Sequence, residues 1–178
     1  MIRHLNLNKN DEVLDVSAGT GLLGEEIASQ FGPFTRLVLN DPSKNMLEHA
    51  KYRMRYVKNV GFTSYFAEEP GFDDHSFSKI ICLNSFHYYT EQVSAAEHFM
   101  RILKPGGTLY LLDWNRKGLF VFYNAIIKLL TKEHINTRNF EELKELMTGQ
   151  GFIIQKHKEW RYWWWNFCLL VCSKPKTK

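Results

Sequence analysis

The chain has 178 residues, the size of one ordinary domain, so separate cofactor and substrate modules have almost no room. With 44% apolar and 24% charged residues, 11 Gly and 5 Pro, its composition is that of a soluble globular protein and excludes a disordered chain or a collagen-like repeat. The net charge of +4 sets 23 basic against 19 acidic residues, and the one terminal basic cluster, Lys174, Lys176 and Lys178, reads as a solvated tail rather than a nucleic-acid grip.

Met1 to Asn10 lack the apolar stretch of a secretory signal. From there short apolar runs alternate with helical patterns, the mark of a parallel sheet covered by helices on both faces. In chain order the pattern predicts strand Glu12 to Val16, helix Gly21 to Gln30, strand Thr35 to Asn40, helix Ser43 to Val57 and strand Thr63 to Phe66. It continues with strand Phe77 to Leu83, helix Val93 to Leu103, strand Thr108 to Asp113, helix Phe140 to Thr148, and strands Phe152 to Glu159 and Trp163 to Ser173. Ser43 is a natural N-cap. Lys104-Pro105-Gly106-Gly107 ends the third helix and turns the chain into the next strand. The last two strands have no helix between them and should form an antiparallel hairpin with its turn near Trp160 to Tyr162.

The longest apolar stretch, Gly118 to Leu130, is interrupted by Asn124 and Lys128 and is too short for the roughly 20 residues of a membrane span. It is expected to be a core helix or a lid over the substrate site. Cys82, Cys168 and Cys172 lie in strand-like runs without CxxC or histidine spacing, so neither a disulfide framework nor a metal site is expected. A reducing cytoplasm is the expected compartment.

The most informative segment is Val13-Leu14-Asp15-Val16-Ser17-Ala18-Gly19-Thr20-Gly21-Leu22-Leu23-Gly24, a strand that runs into a glycine turn and then a helix. Such a turn offers unpaired backbone N–H groups to a ligand at the carboxyl end of the first strand. Gly19, Gly21 and Gly24 satisfy GxGxxG, and Asp41 follows Gly21 by 20 residues, which also suits a dinucleotide site. Asp15 separates the two readings. A carboxylate at about 4 Å from a pyrophosphate costs roughly 1 to 4 kcal/mol, whereas a cationic ligand gains from it.

VLDVSAGTG resembles the first motif of class I S-adenosylmethionine-dependent methyltransferases, of the small-molecule, type 11-like kind. Leu39-Asn40-Asp41-Pro42-Ser43-Lys44-Asn45-Met46-Leu47 is similar to the family's second-strand motif, Ala67-Glu68 and the residues to Phe77 to the segment before its fourth strand, and Arg101-Ile102-Leu103-Lys104-Pro105-Gly106-Gly107-Thr108-Leu109 to its RxLKPGGxL. The resemblance implies an α/β fold with a doubly wound, mostly parallel, seven-stranded Rossmann-like sheet and a C-terminal antiparallel hairpin. It implies S-adenosylmethionine as cofactor, held by Asp15, Ser17, Ala18, Gly19, Gly21, Asp41, Pro42, Met46, Ala67, Glu68 and Asn84. Asp41 would take the ribose hydroxyls, and Pro42 and Met46 would lie against adenine. Two departures stand out: Ser17 replaces the first glycine, and Phe66 stands where many members have an acid for the adenine amino group.

Methyl transfer is an in-line displacement in which the protein positions a nucleophile and removes its proton. The run Asn84-Ser85-Phe86-His87-Tyr88-Tyr89 places His87 where related enzymes have a histidine, so His87 is the candidate base; packing or helix capping is its structural alternative. Tyr88, Asp113 and Trp114 are candidate substrate contacts. The run is not the Asn-Pro-Pro-Tyr type that methylates nucleic-acid amino groups, so the expected partner is a small-molecule substrate, with no nucleic acid and no transmembrane segment.

Trp160-Arg161-Tyr162-Trp163-Trp164-Trp165-Asn166-Phe167 holds four of the five tryptophans. Alternation puts Trp163, Trp165 and Phe167 on one face and Tyr162, Trp164 and Asn166 on the other, mostly as core; a homo-oligomer contact, a substrate contact and a membrane surface are the alternatives. The whole chain, 1–178, reads as one methyltransferase domain with little of the usual N-terminal helical cover. Two rival functions remain: a catalytically silent methyltransferase-like binding protein, and an NAD-dependent dehydrogenase, which Asp15 disfavours.

Overall fold

The computed structural model describes residues 2–118, 121 and 135–176. Of the predicted core helix or lid from Gly118 to Leu130, all but Gly118 and Val121 lies outside the described residues. The elements are β1 (Glu12–Asp15), α1 (Leu22–Phe31), β2 (Arg36–Asn40), α2 (Lys44–Arg53), β3 (Val60–Thr63), β4 (Phe77–Leu83), α3 (Gln92–Ile102), β5 (Leu103–Trp114), α4 (Phe140–Gly149), β6 (Ile153–Tyr162) and β7 (Trp165–Ser173). Among the described residues seven strands form one sheet in the order β3-β2-β1-β4-β5-β7-β6. The first five are parallel and β7 is antiparallel to both of its neighbours, as the fold class requires.

The two-residue period of the central strands sorts their side chains into two cores. Leu14, Ile80, Cys82, Leu109 and Leu111 pack with Phe99 and Ile102 of α3 and with Leu143 and Met147 of α4. Val13, Ile81 and Tyr110 face the other way, toward Ile27 of α1, Ala50 of α2 and Leu5 and Leu7 of the N-terminal segment. Tyr110 ties that segment down, its hydroxyl accepting from the Asn6 N–H at 3.0 Å.

Helix starts follow local chemistry. The Ser43 hydroxyl accepts from the Met46 N–H at 3.4 Å, and Asn139 with Glu142 forms a reciprocal capping box at α4. The crossover between β1 and β2 depends on two glycines. Gly21 has φ +79° and a methyl group there would meet Ala50 Cβ at 3.0 Å; one at Gly24 would meet Leu39 Cδ2 at 2.7 Å. Glycine lets α1 lie flat against β2 and α2.

Three expectations fail. The third strand is Val60–Thr63, not Thr63 to Phe66, which leaves Phe66 exposed beyond the sheet. The hairpin turn falls at Trp163-Trp164, because Tyr162 already pairs with Trp165. That shift carries the aromatic tip past the last paired rung, so it is not core: Tyr162, Trp163 and Trp164 are 67%, 69% and 43% exposed.

Candidate active site

The parallel strands deliver their carboxyl ends to one edge, where the first glycine turn, the ends of β2 and β4 and the segment after β3 converge. Asn40 organises this edge. Buried at the end of β2, its Nδ2 donates to the carbonyls of Val16 and Tyr65, both at 2.9 Å, and its Oδ1 accepts from the Thr63 hydroxyl and the Tyr65 N–H, both at 2.9 Å. All of its capacity is used to fix the turns that flank Asp41.

Asp41 spans the glycine turn and the start of α2: Oδ2 accepts from the Gly19 N–H at 2.8 Å and Oδ1 from the Ser43 N–H at 2.9 Å. Gly19 has φ +53°, and a side chain there would meet no atom within 4 Å. The open space at Gly19 contrasts with the crowding at Gly21 and Gly24.

A cavity of about 280 Å³ is lined by Ser17, Asp41, Pro42, Phe66, Ala67, Glu68, Ser85, Tyr88, Tyr89 and Thr90. Phe66, Glu68 and Thr90 also wall a neighbouring hollow of about 500 Å³ with Glu69, Glu91, Ser94 and His98. Together they have the size of a small-molecule site. The Ser17 hydroxyl lies 2.7 Å from the Tyr89 hydroxyl, so this departure from the glycine pattern is absorbed by a hydrogen bond. Glu68 Oε1 accepts from the Thr90 N–H at 3.0 Å.

Asp15 lies at the end of β1, fully buried, and among the described residues neither carboxylate oxygen has a hydrogen-bond partner. Burial, reinforced by the nearby Asp41 charge, pushes its carboxyl up to about 7; the Ser17 N–H, outside hydrogen-bonding geometry, pulls only partly back. A buried carboxylate with no partner is costly, and a cationic ligand group would relieve that cost. The cavity, the open face at Gly19 and the orphaned Asp15 therefore fit a ligand that is cationic at one end.

On the other side of Tyr88 a second arrangement appears. His87 is buried with Nδ1 2.5 Å from Asp113 Oδ1, and its backbone N–H donates to Asp113 Oδ2 at 2.7 Å. Asp113 Oδ1 also accepts from the Trp114 N–H at 2.7 Å. The imidazole stacks on Trp114 with ring centres 3.9 Å apart and lies 4.2 Å from the Tyr88 ring. A carboxylate only accepts, so Nδ1 carries a proton, and in the neutral imidazole the lone pair falls on Nε2, which is buried and has no hydrogen-bond partner among the described residues.

The cavity thus brings together Ser17, Asp41, Pro42, Ala67, Glu68 and Tyr88 from the expected set. Asp15, Ala18, Gly19 and Gly21 are not on its lining; Asp15 is enclosed and the others form the adjoining turn. Met46 is exposed and Asn84, at φ 50°, has its N–H on the Leu112 carbonyl; neither lines the cavity. Asp113, expected to touch substrate, is committed to His87 and Trp114, and Trp114 covers the imidazole. Ser85, Tyr89 and Thr90 were not singled out from sequence; their approach to Ser17 and Glu68 depends on the loop after β4 folding back over β1.

A methyltransferase-domain family profile matches residues 13–107. The ubiquinone/menaquinone biosynthesis C-methyltransferase UbiE of Ectopseudomonas mendocina is 32% identical over 166 residues, covering 80% of this chain and 65% of that protein. The chain thus spans just under two thirds of that relative's length. In structure it is similar to a SAM-dependent methyltransferase from Methanosarcina mazei, with TM-score 0.83 and 19% identity over 99% of this chain and 98% of the other. It is also similar to Haemonchus contortus phosphoethanolamine N-methyltransferase 2, solved in complex with S-adenosyl-L-methionine, with TM-score 0.82 and 17% identity over 98% of this chain and 51% of the other.

Proposed function

The chain belongs to the methyltransferase-domain family, with the class I fold, and from that premise we propose that it transfers a methyl group from S-adenosylmethionine to a small-molecule acceptor. The observation that carries this reading is Asp15, a fully buried carboxylate without a hydrogen-bond partner among the described residues, beside a glycine turn whose Gly19 faces open space. The relatives' names support the reaction type.

In this reading Asp15 lies next to the cationic methionine end of the cofactor, Gly19 leaves room for it, and Asp41 accepts from the ribose hydroxyls with the lone pairs its two N–H bonds leave over. Pro42, Phe66 and Ala67 supply apolar wall for the base, and Glu68 lies beside them. When bound, the cofactor supplies an electrophilic methyl group on a sulfonium. His87 is the candidate base in this reading: Asp113 holds Nδ1–H so that Nε2 is the free nitrogen, and because the buried ring does not line the cavity, it meets the acceptor only when Tyr88, which lines the cavity and lies 4.2 Å from the ring, moves aside.

Calorimetric titration with S-adenosylmethionine tests the reading. Saturable binding below about 1 mM, weakened by Asp15→Asn and by Asp41→Ala, is expected. Absence of binding at millimolar cofactor, with Asp41→Ala indistinguishable from the unaltered chain, would overturn it.

A further inference from the structure

The tip of the β6–β7 hairpin has no part in the cofactor site. Tyr162 and Trp163 stack with ring centres 6.4 Å apart, and Trp163 meets Trp164 edge-on at 5.2 Å, so the three exposed rings form one aromatic wedge. Trp163 has φ 56°, a left-handed conformation that suits glycine and costs a residue with a Cβ. A large exposed ring in a strained position is not explained by folding.

We propose that this wedge docks the domain on the surface of an anionic lipid bilayer. Trp and Tyr rings are amphipathic and favour the headgroup level, where an apolar body and a polar edge are both satisfied. The charge beside the wedge fits that surface. Arg161 is exposed next to Tyr162, and Lys158 and Lys156 are exposed on the same face of β6 about 13 and 20 Å back along the strand, so that face presents positive charge when it lies along the leaflet. The acid of the same stretch, Glu159, is taken up by Asn115 at 2.6 Å and Lys117 at 3.3 Å. Each basic side chain near an anionic leaflet adds attraction that salt weakens.

A second copy of this chain fits less well. A twofold contact would set the same basic side chains against their own copies, and a two-residue tip offers little of the roughly 800 Å² per partner that a stable interface buries. The wedge also lies at the end of the sheet that holds the site: Trp165 is 4.8 Å from Trp114, which stacks on His87 at 3.9 Å. Docking at the tip would turn the His87 end of the sheet toward the bilayer.

The test is flotation of the full chain with phosphatidylcholine vesicles, with and without about 30% phosphatidylglycerol. Binding to the anionic vesicles, reduced by high salt and by Lys156→Glu with Lys158→Glu, is expected. The double change Trp163→Gly and Trp164→Ser should lower the bound fraction about tenfold. The single change Trp163→Gly, where glycine suits the positive φ, should keep or raise the thermal midpoint and still lose most of the binding, so the loss is not a folding defect. Failure to float with the anionic vesicles, or equal flotation of the tip variant, overturns the proposal. So does a dimer in sedimentation equilibrium that the tip variant dissolves without any vesicle binding. None of these outcomes depends on cofactor binding, so they leave the methyl-transfer reading to its own experiment.

Discussion

His87 Nδ1 and Asp113 Oδ1 lie 2.5 Å apart although 26 residues separate them, because β4 and β5 are parallel neighbours and end side by side. The contact fixes which nitrogen is the base. With Nδ1–H held by the carboxylate, the lone pair of the neutral ring falls on Nε2, which has no hydrogen-bond partner among the described residues.

Asp113→Asn should therefore impair the chemical step rather than binding. Asp113 accepts from three N–H groups, and an asparagine accepts on one oxygen only: with its NH2 in the Oδ1 place it donates to Nδ1, moves the imidazole proton to Nε2 and opposes the Trp114 N–H, and with its NH2 in the Oδ2 place it opposes the His87 N–H, so the ring's tautomer or its placement is lost. We expect kcat to fall by about 100-fold or more with cofactor affinity unchanged, and His87→Gln to fall to a similar level. Steady-state kinetics beside a calorimetric cofactor titration separates the two quantities. An unaltered kcat in both variants removes the pair from the chemistry.

Asp15 makes stability depend on pH in an unusual direction. Its folded carboxyl, pushed up to about 7, holds a proton that the unfolded chain releases near 4. Between those values the folded state binds more protons, so this group's contribution to stability is present at low pH and is lost as pH rises toward 7. Asp15→Asn should flatten that slope and be the more stable protein at pH 8 without ligand, as measured by urea midpoints across the range. The same variant should bind S-adenosylmethionine more weakly. In the unaltered chain affinity should rise by up to about tenfold per pH unit as Asp15 ionises below pH 7.

Much of this site was legible because its parts are local. The turn after β1, the acid after β2 and the N-cap at Ser43 each lie within a few residues of the strand that delivers them, and hydrophobic alternation places those strands. What was missed is non-local. His87 and Asp113 were both singled out, but their pairing depends on two strands ending together. Ser17 and Tyr89, 72 residues apart, meet only when the loop after β4 folds back over the first turn. The hairpin turn was misplaced for a different reason: Trp163-Trp164 contains no Gly, Pro, Asn or Asp, so the chain reverses where residue type gives no signal. Likewise β3 begins at Val60 and contains Gly61, a weak strand former, which hid its start.

The three glycines of the first turn should separate by the property each change destroys. At Gly24 an added methyl would lie 2.7 Å from Leu39 Cδ2 and 3.0 Å from Cδ1, inside a packed contact between α1 and β2. Gly24→Ala should cost about 1 to 3 kcal/mol in chemical denaturation, as overpacking does, while the folded fraction still binds cofactor. Gly21→Ala adds a positive φ to a 3.0 Å approach to Ala50 and should be at least as costly. At Gly19 the methyl meets nothing within 4 Å, so Gly19→Ala should lose only the roughly 1 to 2 kcal/mol of its left-handed backbone. Its methyl group projects into the open space proposed for the cofactor, and affinity for S-adenosylmethionine should fall about tenfold or more. Equal affinity in Gly19→Ala and the unaltered chain would mean that the open space beside Asp41 is not where the cofactor lies.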